Sequence, residues 1–417
     1  KNIKRCIPGK VYIYDIENKQ LEIKNINEKQ PNLNKILNKL DNQSLTNLVE
    51  EELKKSIDIH LRSDVGYSIQ LSGGVDSSLI TAMASQISDK SQRTFGLEIE
   101  GSPQDEKWAR DLVVKRYKCD HTEVKVTSDI FAKYFSKTIK ALDSPIVHSG
   151  TPALMKLYES MADYSPVAIT GEGADEAFMG YSRYREAPTY QKIGLLTRIL
   201  PEKMVKLTKF KEALHFTRNR SSYIFCSVYS NTTNIMDIFP SLFKGHKFNN
   251  PRSVKNNLSF IKKINSYDKK YYLQTLLHRQ DLISMASSVE CRTPFADKNI
   301  FNLSRSIPTN LKVGKLETKK LLKRISEKYL DKKIIYRKKI GLNIPLENWL
   351  RENDYFVSKL LTLKSNDSFL SEFANIKKLA HYVDGYLCNQ YSLKDIDLFR
   401  LLCVEEWLQI LIHDDFN

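Results

Sequence analysis

The segment Ser72–Ser78, which reads Ser-Gly-Gly-Val-Asp-Ser-Ser, brings glycines, hydroxyls and a carboxylate together at one point of the chain. It follows a predicted short strand at Tyr67–Leu71 and leads into a helical pattern. Glycines let a backbone approach a ligand closely, and the start of a helix offers unpaired N–H groups to an anion. Asp76 can hold Mg2+ against phosphate oxygens. This first glycine loop therefore predicts a phosphate site, but not a Walker loop, because the Gly-Lys-Ser/Thr ending is absent.

A second glycine loop, Thr170–Glu176, follows the apolar run Val167–Ile169 and carries three carboxylates. Ligands of open parallel sheets bind beyond the carboxyl ends of the strands, so both glycine loops should face one crevice. Carboxylates suit a metal and an amine better than a phosphate. We therefore expect Asp175 to share Mg2+ with Asp76, and Glu172 to orient or deprotonate an attacking nitrogen. An acidic helix start favoured by the helix dipole is the alternative interpretation.

Three further polar runs occur later in the chain, and each is weak alone because any helix end can carry such charges. They are Ser284–Ala286 with Glu290–Asp297, Lys319 with Leu322 and Lys323, and Arg337–Gly341. The first glycine loop by itself resembles the loop of the ATP pyrophosphatases, which cleave ATP between the α and β phosphates. All five runs, taken in this order, resemble the synthetase domain of the asparagine synthetase family over about residues 45–350.

The resemblance implies an ATP-dependent ligase that forms an amide. That family uses ATP and Mg2+ to convert a carboxylate into its acyl-adenylate, which ammonia then attacks, and AMP and pyrophosphate are released. Adenylation is needed because the oxygen of a free carboxylate is a poor leaving group, and a metal and a lysine can stabilise the departing pyrophosphate. The favoured small-molecule substrate is aspartate, which gives asparagine.

The resemblance also implies roles for individual positions. Glu172 matches the acidic residue beside the adenylate, and Lys319 matches the lysine that neutralises charge on the phosphates; both are catalytic. Asp76 and Asp175 match the ligands of Mg2+. Leu71 and Leu97 match residues that flank the adenine. The full set matched to ATP binding is Leu71, Ser72, Gly73, Gly74, Asp76, Ser77, Leu97, Thr170, Gly171 and Lys339.

Departures from the family pattern leave open which carboxylic acid is the substrate. Met179 stands where glycine is usual, and the helical run Pro152–Ala162 offers Lys156 and Tyr158 where asparagine synthetases can have an arginine. With a tyrosine in that region, the chain resembles the β-lactam synthetases, which close a ring with an internal amine. Those relatives, however, lack a match to Glu172. The alternatives are a sugar uronate, a peptide carboxylate or a ring-closing amino acid. A tRNA-modifying pyrophosphatase is a less favoured alternative.

Strand and helix patterns alternate between Leu45 and about residue 182, and helical patterns dominate afterwards. This predicts an α/β fold with a doubly wound parallel sheet, of the ATP-pyrophosphatase (adenine nucleotide α-hydrolase-like) type, and a mostly helical C-terminal part. The predicted strands are Tyr67–Leu71, Thr94–Ile99, His121–Val126 and Pro166–Thr170, and the predicted helices include Leu45–Leu61, one from Ser77 and one near Glu106–Arg116.

The expected domains are residues 1–44, a small β segment and linker, and residues 45–417, the synthetase domain with its α/β core at about 60–185 and helical part at about 186–417. The strands Val11–Tyr14 and Leu21–Ile23 resemble the last strands of the family's glutaminase domain, which implies a glutaminase domain or subunit upstream. Cys6 does not match the N-terminal nucleophile of that domain. We therefore expect these 417 residues to use free ammonium and not to hydrolyse glutamine.

Composition excludes several other classes. The six cysteines are scattered without a CxxC pair, which argues against a zinc site or disulfide framework and favours the reducing cytoplasm. No apolar run reaches the length of a membrane span, so we expect no membrane partner. The net charge of +16 is spread thinly over lysines, which predicts a solvated surface and no nucleic-acid partner. Whether the chain forms a homodimer is left open.

Overall fold

The computed structural model describes residues 6, 9–26, 37, 40–102, 106–197, 235, 237–243, 259–390 and 393–414. Within them, a five-stranded sheet has the order β5-β4-β3-β6-β7, and all four neighbouring pairs are parallel. The sheet strands are β3 Ser68–Gln70, β4 Arg93–Ile99, β5 Asp120–Val126, β6 Val167–Ile169 and β7 Glu290–Arg292, and a separate hairpin contains β1 Lys10–Asp15 and β2 Gln20–Asn25. The predicted parallel α/β sheet is confirmed.

The strand order reverses at β3, and this reversal fixes where a ligand can bind. β4 and β5 lie on one side of β3, whereas β6 and β7 lie on the other. Ile69 of β3 pairs with Thr94 on one side and with Ile169 on the other. The first glycine loop follows β3 and the second follows β6. Both therefore leave the sheet at the switch point, where the crevice of a doubly wound sheet lies.

Helices cover both faces of the sheet, because residues alternate between the two faces along each strand. In β6, Ala168 packs with one hydrophobic cluster, while Val167 and Ile169 pack with the other. The helices of this α/β part are α1 Asn42–Leu61, α2 Val75–Ser88, α3 Lys107–Tyr117, α4 Ser128–Leu142, α5 Thr151–Ala162, α6 Ala174–Phe178 and α7 Ser182–Thr197. Residues of α1, α2 and α3 belong to the cluster of Val167, and those of α4 and α5 to the cluster of Ala168.

The later part of the described chain is mostly helical, as predicted. Its α-helices are α8 Pro240–Phe243, α9 Phe260–Tyr267, α10 Leu273–Met285, α11 Lys298–Ser306, α12 Thr309–Lys312, α13 Lys320–Ser326, α14 Lys332–Ile335, α15 Leu346–Glu352, α16 Asp354–Leu363, α17 Ile376–Leu387 and α18 Asp395–Asp414. A π-helix at Asp268–Tyr272 joins α9 to α10, and short 3-10 turns occupy Pro294–Ala296 and Phe369–Glu372. Helices α15 to α18 complete the core over α4, where Phe131 contacts Trp349 with ring centroids 5.0 Å apart.

Strand β7 was not predicted from the sequence. It has three residues, two of which are the charged Glu290 and Arg292, and it lies at the edge of the sheet. Such a strand shows no apolar alternation, so only its pairing with β6 identifies it.

The N-terminal hairpin agrees with the predicted short β segment. Its strands pair from Lys10 with Asn25 to Asp15 with Gln20. Most of the linker predicted within residues 1–44, and most of residues 198–258 of the predicted helical part, lie outside the described residues. None of the helices within the described ranges is both long enough and apolar enough to cross a bilayer.

Candidate active site

The first glycine loop is shaped by its own hydroxyls and by Gly73. The backbone N–H of Ser72 donates to Ser77 Oγ at 3.1 Å, and the two hydroxyl oxygens lie 3.0 Å apart. Gly73 has a φ of +80°, a left-handed conformation that glycine adopts without a steric cost. Gly74 is the N-cap of α2, and no side chain caps that helix. The loop thus presents the N-terminus of a 14-residue helix, which favours an anion.

The second glycine loop packs directly on the first. A Cβ at Gly171 would lie 3.2 Å from both Asp76 Cβ and Ser77 N, so a side chain there would push Asp76 or Ser77 away by a few tenths of an ångström. Gly173 has a φ of +91° and would press a Cβ to within 3.1 Å of Ala296. Thr170 is buried, and its Oγ1 accepts a hydrogen bond from Gln280 Nε2 at 2.7 Å. The structure therefore brings both loops into one crevice, as the sequence predicted.

Lys319 joins the two loops through one aspartate of each. Its Nζ lies 2.5 Å from Asp76 Oδ2 and 2.7 Å from Asp175 Oδ1. Although burial opposes ionisation, the ammonium groups of Lys319 and Lys339 hold the pKa of Asp175 well below its usual range. The same carboxylates raise the pKa of the buried Lys319 above its usual range, against the effect of burial. Asp175 and Lys319 are therefore both charged at neutral pH, and the buried ammonium lies between the carboxyl groups of Asp175 and Asp76.

The backbone of Lys319 is itself in an unusual conformation. Its φ of 55° and ψ of 32° are left-handed, which is uncommon for a residue with a Cβ and costs free energy. This conformation occurs at the N-cap of α13, directly before the helix, and the side chain points between the two aspartates. Strained residues of this kind concentrate at functional sites.

Lys339 lies on the outer side of Asp175, and Tyr181 supports it. Lys339 Nζ forms an ion pair with Asp175 Oδ2 and lies 5.2 Å from the centroid of the Tyr181 ring. The Tyr181 hydroxyl donates to Glu176 Oε1 at 2.6 Å. Glu176 is 1% exposed, and burial raises its pKa to about 7. The third carboxylate of the second glycine loop therefore anchors Tyr181 and does not face the crevice.

Gly180 leaves the space in which Lys319 and Asp175 meet. A Cβ at this position would lie 1.9 Å from Asp175 Oδ1 and 2.1 Å from Lys319 Cε. The preceding Met179 has a φ of +57°, so the departure from glycine at that position places a buried methionine in a left-handed turn. The left-handed turn at Met179 and the space left by Gly180 together make room for the ion pair between Lys319 and Asp175.

Replacing Gly180 with alanine should move Lys319 away from Asp175, because neither group can shift without losing the other. We expect turnover to fall about 10- to 100-fold, since displacements of about 1 Å have costs of this size. Steady-state rates of AMP formation measure the change, with Gly341→Ala as control because a Cβ at Gly341 meets nothing within 4 Å. Equal rates in both variants would contradict this view of Gly180.

Glu172 is held by an arginine that the sequence did not single out. Arg279 Nη2 lies 3.2 Å from Glu172 Oε1, and the two side chains are 14% and 31% exposed. Arg279 Nε is buried without a hydrogen-bond partner. Burial, together with the charges of Arg279 and Arg400, lowers the pKa of the neighbouring His148 to about 4. This end of the crevice therefore presents a positive group next to the carboxylate predicted to handle the amine.

His148 should make the protein less stable in mild acid. In the unfolded chain His148 takes up a proton near the usual pKa of 6.5, whereas in the folded chain it does so only near 4. The free energy of unfolding is therefore unaffected by this histidine above pH 6.5 and decreases as pH falls from 6.5 toward 4. Replacing His148 with Gln should remove this loss, worth about 2 kcal/mol at pH 5. Urea unfolding of both proteins at pH 7.5 and pH 5 measures it. A mutational free-energy change that is the same at both pH values would contradict the assignment.

Tyr158 and the two leucines predicted near the adenine are placed differently from one another. Tyr158 is 1% exposed, its hydroxyl donates to Gln70 Oε1 at 3.2 Å, and burial raises its pKa well above the usual value. It therefore stays protonated at neutral pH. Leu97 is only partly buried, whereas Leu71 is fully buried, backbone included. The adenine contacts of both leucines stay a prediction.

The donor set suits Mg2+ together with phosphate oxygens. Among the described residues, no group of three or more His, Cys, Asp or Glu side chains is arranged to hold a metal. Mg2+ is commonly bound by one or two carboxylates with substrate phosphates supplying further oxygens, so Asp76 and Asp175 suffice. Asp76 Oδ1 is buried without a hydrogen-bond partner, which is an available oxygen ligand.

The other polar runs divide between structural and crevice roles. Arg292 donates from Nη1 to the carbonyls of His60 and Arg62, at 2.9 and 2.6 Å, and so secures the end of α1. Arg337 instead reaches the first glycine loop, with Nη2 3.0 Å from the Gly73 carbonyl oxygen. No sequence signal assigned roles to Arg279, Gly180 or Arg337, because their partners are distant in the chain.

Comparison with known proteins gives one family. The sequence model described as asparagine synthase matches residues 48–409. The chain is 25% identical to asparagine synthetase [glutamine-hydrolyzing] 1 of Bacillus subtilis, over 79% of this chain and 54% of that protein. It is 25% identical to a putative asparagine synthetase [glutamine-hydrolyzing] of Mycobacterium bovis, over 86% of this chain and 57% of that protein. It is 24% identical to amidase chyE of Penicillium rubens, over 75% of this chain and 51% of that protein. The chain thus spans about half the length of these relatives.

Proposed function

We propose that this chain, which belongs to the asparagine synthase family, activates aspartate as its acyl-adenylate and forms asparagine with ammonia. Membership makes it a ligase-type enzyme, and ATP-dependent amide formation is general to the family. The observation that carries the proposal is Lys319 Nζ, which lies within 2.7 Å of both Asp76 and Asp175 where the two glycine loops meet. Two carboxylates and a buried cation beside a helix N-terminus are the parts that pyrophosphate release requires.

In the first step, a carboxylate oxygen of the acid attacks the α-phosphorus of ATP, and the bond between the α-phosphorus and the bridging oxygen breaks. The N-terminus of α2 holds the departing pyrophosphate through its N–H groups. Lys319 neutralises the charge that develops on the leaving oxygen, and Lys339 provides a second cation. Mg2+, held by Asp76 and Asp175, would supply further charge neutralisation on the phosphates.

In the second step, the nitrogen of ammonia attacks the acyl carbon, and the bond from that carbon to the AMP oxygen breaks. The nitrogen must lose a proton as the amide forms. Glu172 is the carboxylate available for that proton, and its ion pair with Arg279 fixes its direction. Arg279 is also the group that would pair with a second carboxylate of the acid, which favours a dicarboxylate such as aspartate.

Exchange of pyrophosphate into ATP tests the acid directly. We expect exchange to depend on aspartate in a panel that also contains glutamate, a sugar uronate, an amino-protected peptide with a free carboxylate and an amino acid able to close a ring. Asparagine should then accumulate with ammonium chloride, faster at higher pH, where more NH3 is present. Exchange with another acid of the panel and none with aspartate would replace the substrate and keep the chemistry. No exchange with any acid would overturn the proposal.

Ring closure of the β-lactam type is the second candidate, motivated by Tyr158. Its buried hydroxyl is hydrogen-bonded to Gln70 and its raised pKa keeps it protonated, so it is a poor base. Glu172, in contrast, is partly exposed in the crevice. These observations favour an external amine, and Tyr158→Phe should leave amide formation within about threefold of the parent rate.

We also infer that the N-terminal hairpin contacts a glutaminase domain, either in a longer chain or as a subunit. An isolated two-stranded hairpin is only marginally stable in water. Both of the asparagine synthetases compared above carry the description glutamine-hydrolyzing in their names. The hairpin exposes apolar side chains, 43 to 81% accessible, on both faces: Val11, Ile13, Tyr14, Ile16, Leu21, Ile23 and Ile26. The test is made with the glutaminase domain or subunit present. If Ile13→Asp abolishes the coupling of glutamine hydrolysis to amide formation while the use of free ammonium persists, the contact is supported.

A further inference from the structure

Arg337 lies against the first glycine loop, and the mechanism above gives it no role. Its Nη2 donates to the carbonyl oxygen of Gly73 at 3.0 Å. The same nitrogen lies 2.5 Å from Glu106 Oε1, and the two side chains are only 12% and 14% exposed. A hydrogen bond from a charged donor in such a place is stronger than one between neutral groups. The carbonyl of Gly73 is therefore firmly held from outside the crevice.

Glu106 contacts the same glycine with its backbone. A Cβ at Gly73 would lie 3.0 Å from the Glu106 carbonyl oxygen and 3.2 Å from Arg110 Cγ. Glu106 is the N-cap position of α3, so the start of that helix packs on the loop. Gly73 is thus enclosed on its Cα side by α3 and on its carbonyl side by Arg337, while Glu106 participates in both contacts.

We propose that Glu106 and Arg337 are positioning residues that set the direction of the pyrophosphate-binding N–H groups. The carbonyl of Gly73 and the N–H of Gly74 belong to one peptide unit, which is planar and trans, so they point in opposite directions. Fixing the carbonyl therefore fixes the N–H of Gly74. That N–H begins the N-terminus of α2 and at present donates to Ser72 Oγ at 3.3 Å.

The pair acts by geometry more than by charge. Because Glu106 neutralises Arg337, the two together add no net charge beside the loop. Arg337 is also bonded to the loop itself, in contrast to Lys319 and Lys339, which contact the aspartates. Loss of Arg337 should therefore affect binding of the pyrophosphate group and leave binding of the adenosine part unchanged. The inference depends on the proposed role of this loop in holding pyrophosphate.

Calorimetric binding of pyrophosphate with Mg2+, and separately of AMP, tests the pair. Arg337→Met should weaken pyrophosphate binding about tenfold and leave AMP binding within about twofold. Arg337→Lys should recover part of the loss, because an ammonium restores a charged donor, although the shorter lysine side chain does not place its nitrogen where Nη2 lies. Glu106→Gln made together with Arg337→Met should cost little more than Arg337→Met alone, since the two residues act as one unit.

Lys338→Ala is the matched control, because Lys338 is an exposed cation in the same segment. It should change neither affinity. Pyrophosphate affinity within twofold of the parent in Arg337→Met would overturn the inference, and so would equal losses for pyrophosphate and AMP, which indicate a general structural role. Failure of the parent protein to bind pyrophosphate would instead overturn the proposed function of the loop.

Discussion

Replacing Lys319 with methionine should reduce exchange of pyrophosphate into ATP by about 10^2- to 10^3-fold, the usual effect of removing one group that stabilises transition-state charge. The lysine is 3% exposed and is the cation shared by Asp76 and Asp175. Its charge is needed most as pyrophosphate leaves, so ATP affinity should change much less than the exchange rate. Exchange assays and ATP binding, measured on the same preparation, separate the two effects.

The same substitution should also destabilise the fold. It leaves two largely buried carboxylates facing one another without their shared cation, and breaking such an arrangement costs about 3 kcal/mol or more. Urea unfolding therefore has to accompany the assay, so that rates refer to folded protein. Lys320→Met is the control, since Lys320 Nζ donates to the Asn310 carbonyl at 3.2 Å and does not contact the aspartates. Exchange at the parent rate in folded Lys319→Met would remove Lys319 from the mechanism.

Replacing Asp175 with asparagine should abolish Mg2+-dependent AMP formation, with a fall of about 10^2-fold or more and a higher Mg2+ requirement. Asparagine keeps the shape of the side chain and an acceptor oxygen for Lys319, so loss of charge is the main change. Titration of Mg2+ at fixed ATP measures the requirement. Asp76→Asn should behave alike, because both carboxylates contact the same ammonium.

Asp163→Asn makes the same chemical change at an exposed position and should leave both rate and Mg2+ requirement unchanged. The pKa of Asp175 is held low by its lysine partners, so its stabilising contribution is present above pH 3.8 and is lost only as pH falls through the lower folded-state value. Assays near neutral pH therefore compare a fully charged carboxylate with a neutral amide. An unchanged Mg2+ requirement in Asp175→Asn would exclude it as a metal ligand.

The sequence by itself determined the parallel sheet, the two glycine loops and their meeting. The loops follow the predicted strands that become β3 and β6, and the strand-helix alternation favours parallel strands whose carboxyl ends share one edge. Asp76 and Asp175 could be paired on that argument alone. The predicted strands were correct to within two residues at each end because they are short segments rich in β-branched and aromatic residues that stand between clear helical patterns.

The family resemblance had already matched Lys319 and Lys339 to phosphate binding, but only the tertiary structure decided which groups the side chains around the loops contact, because these partners are far apart in the chain and carry no local pattern. Lys319 joins Asp76 across 243 positions, and Arg337 reaches Gly73 across 264. Arg279 meets Glu172 across 107 positions, from the middle of a helix with no recognisable motif. The need for glycine at position 180 likewise arises from two side chains brought together by folding. Periodicity and spacing describe neighbours along the chain, whereas these contacts depend on how α10, α13 and the segment after α14 pack over the carboxyl edge of the sheet.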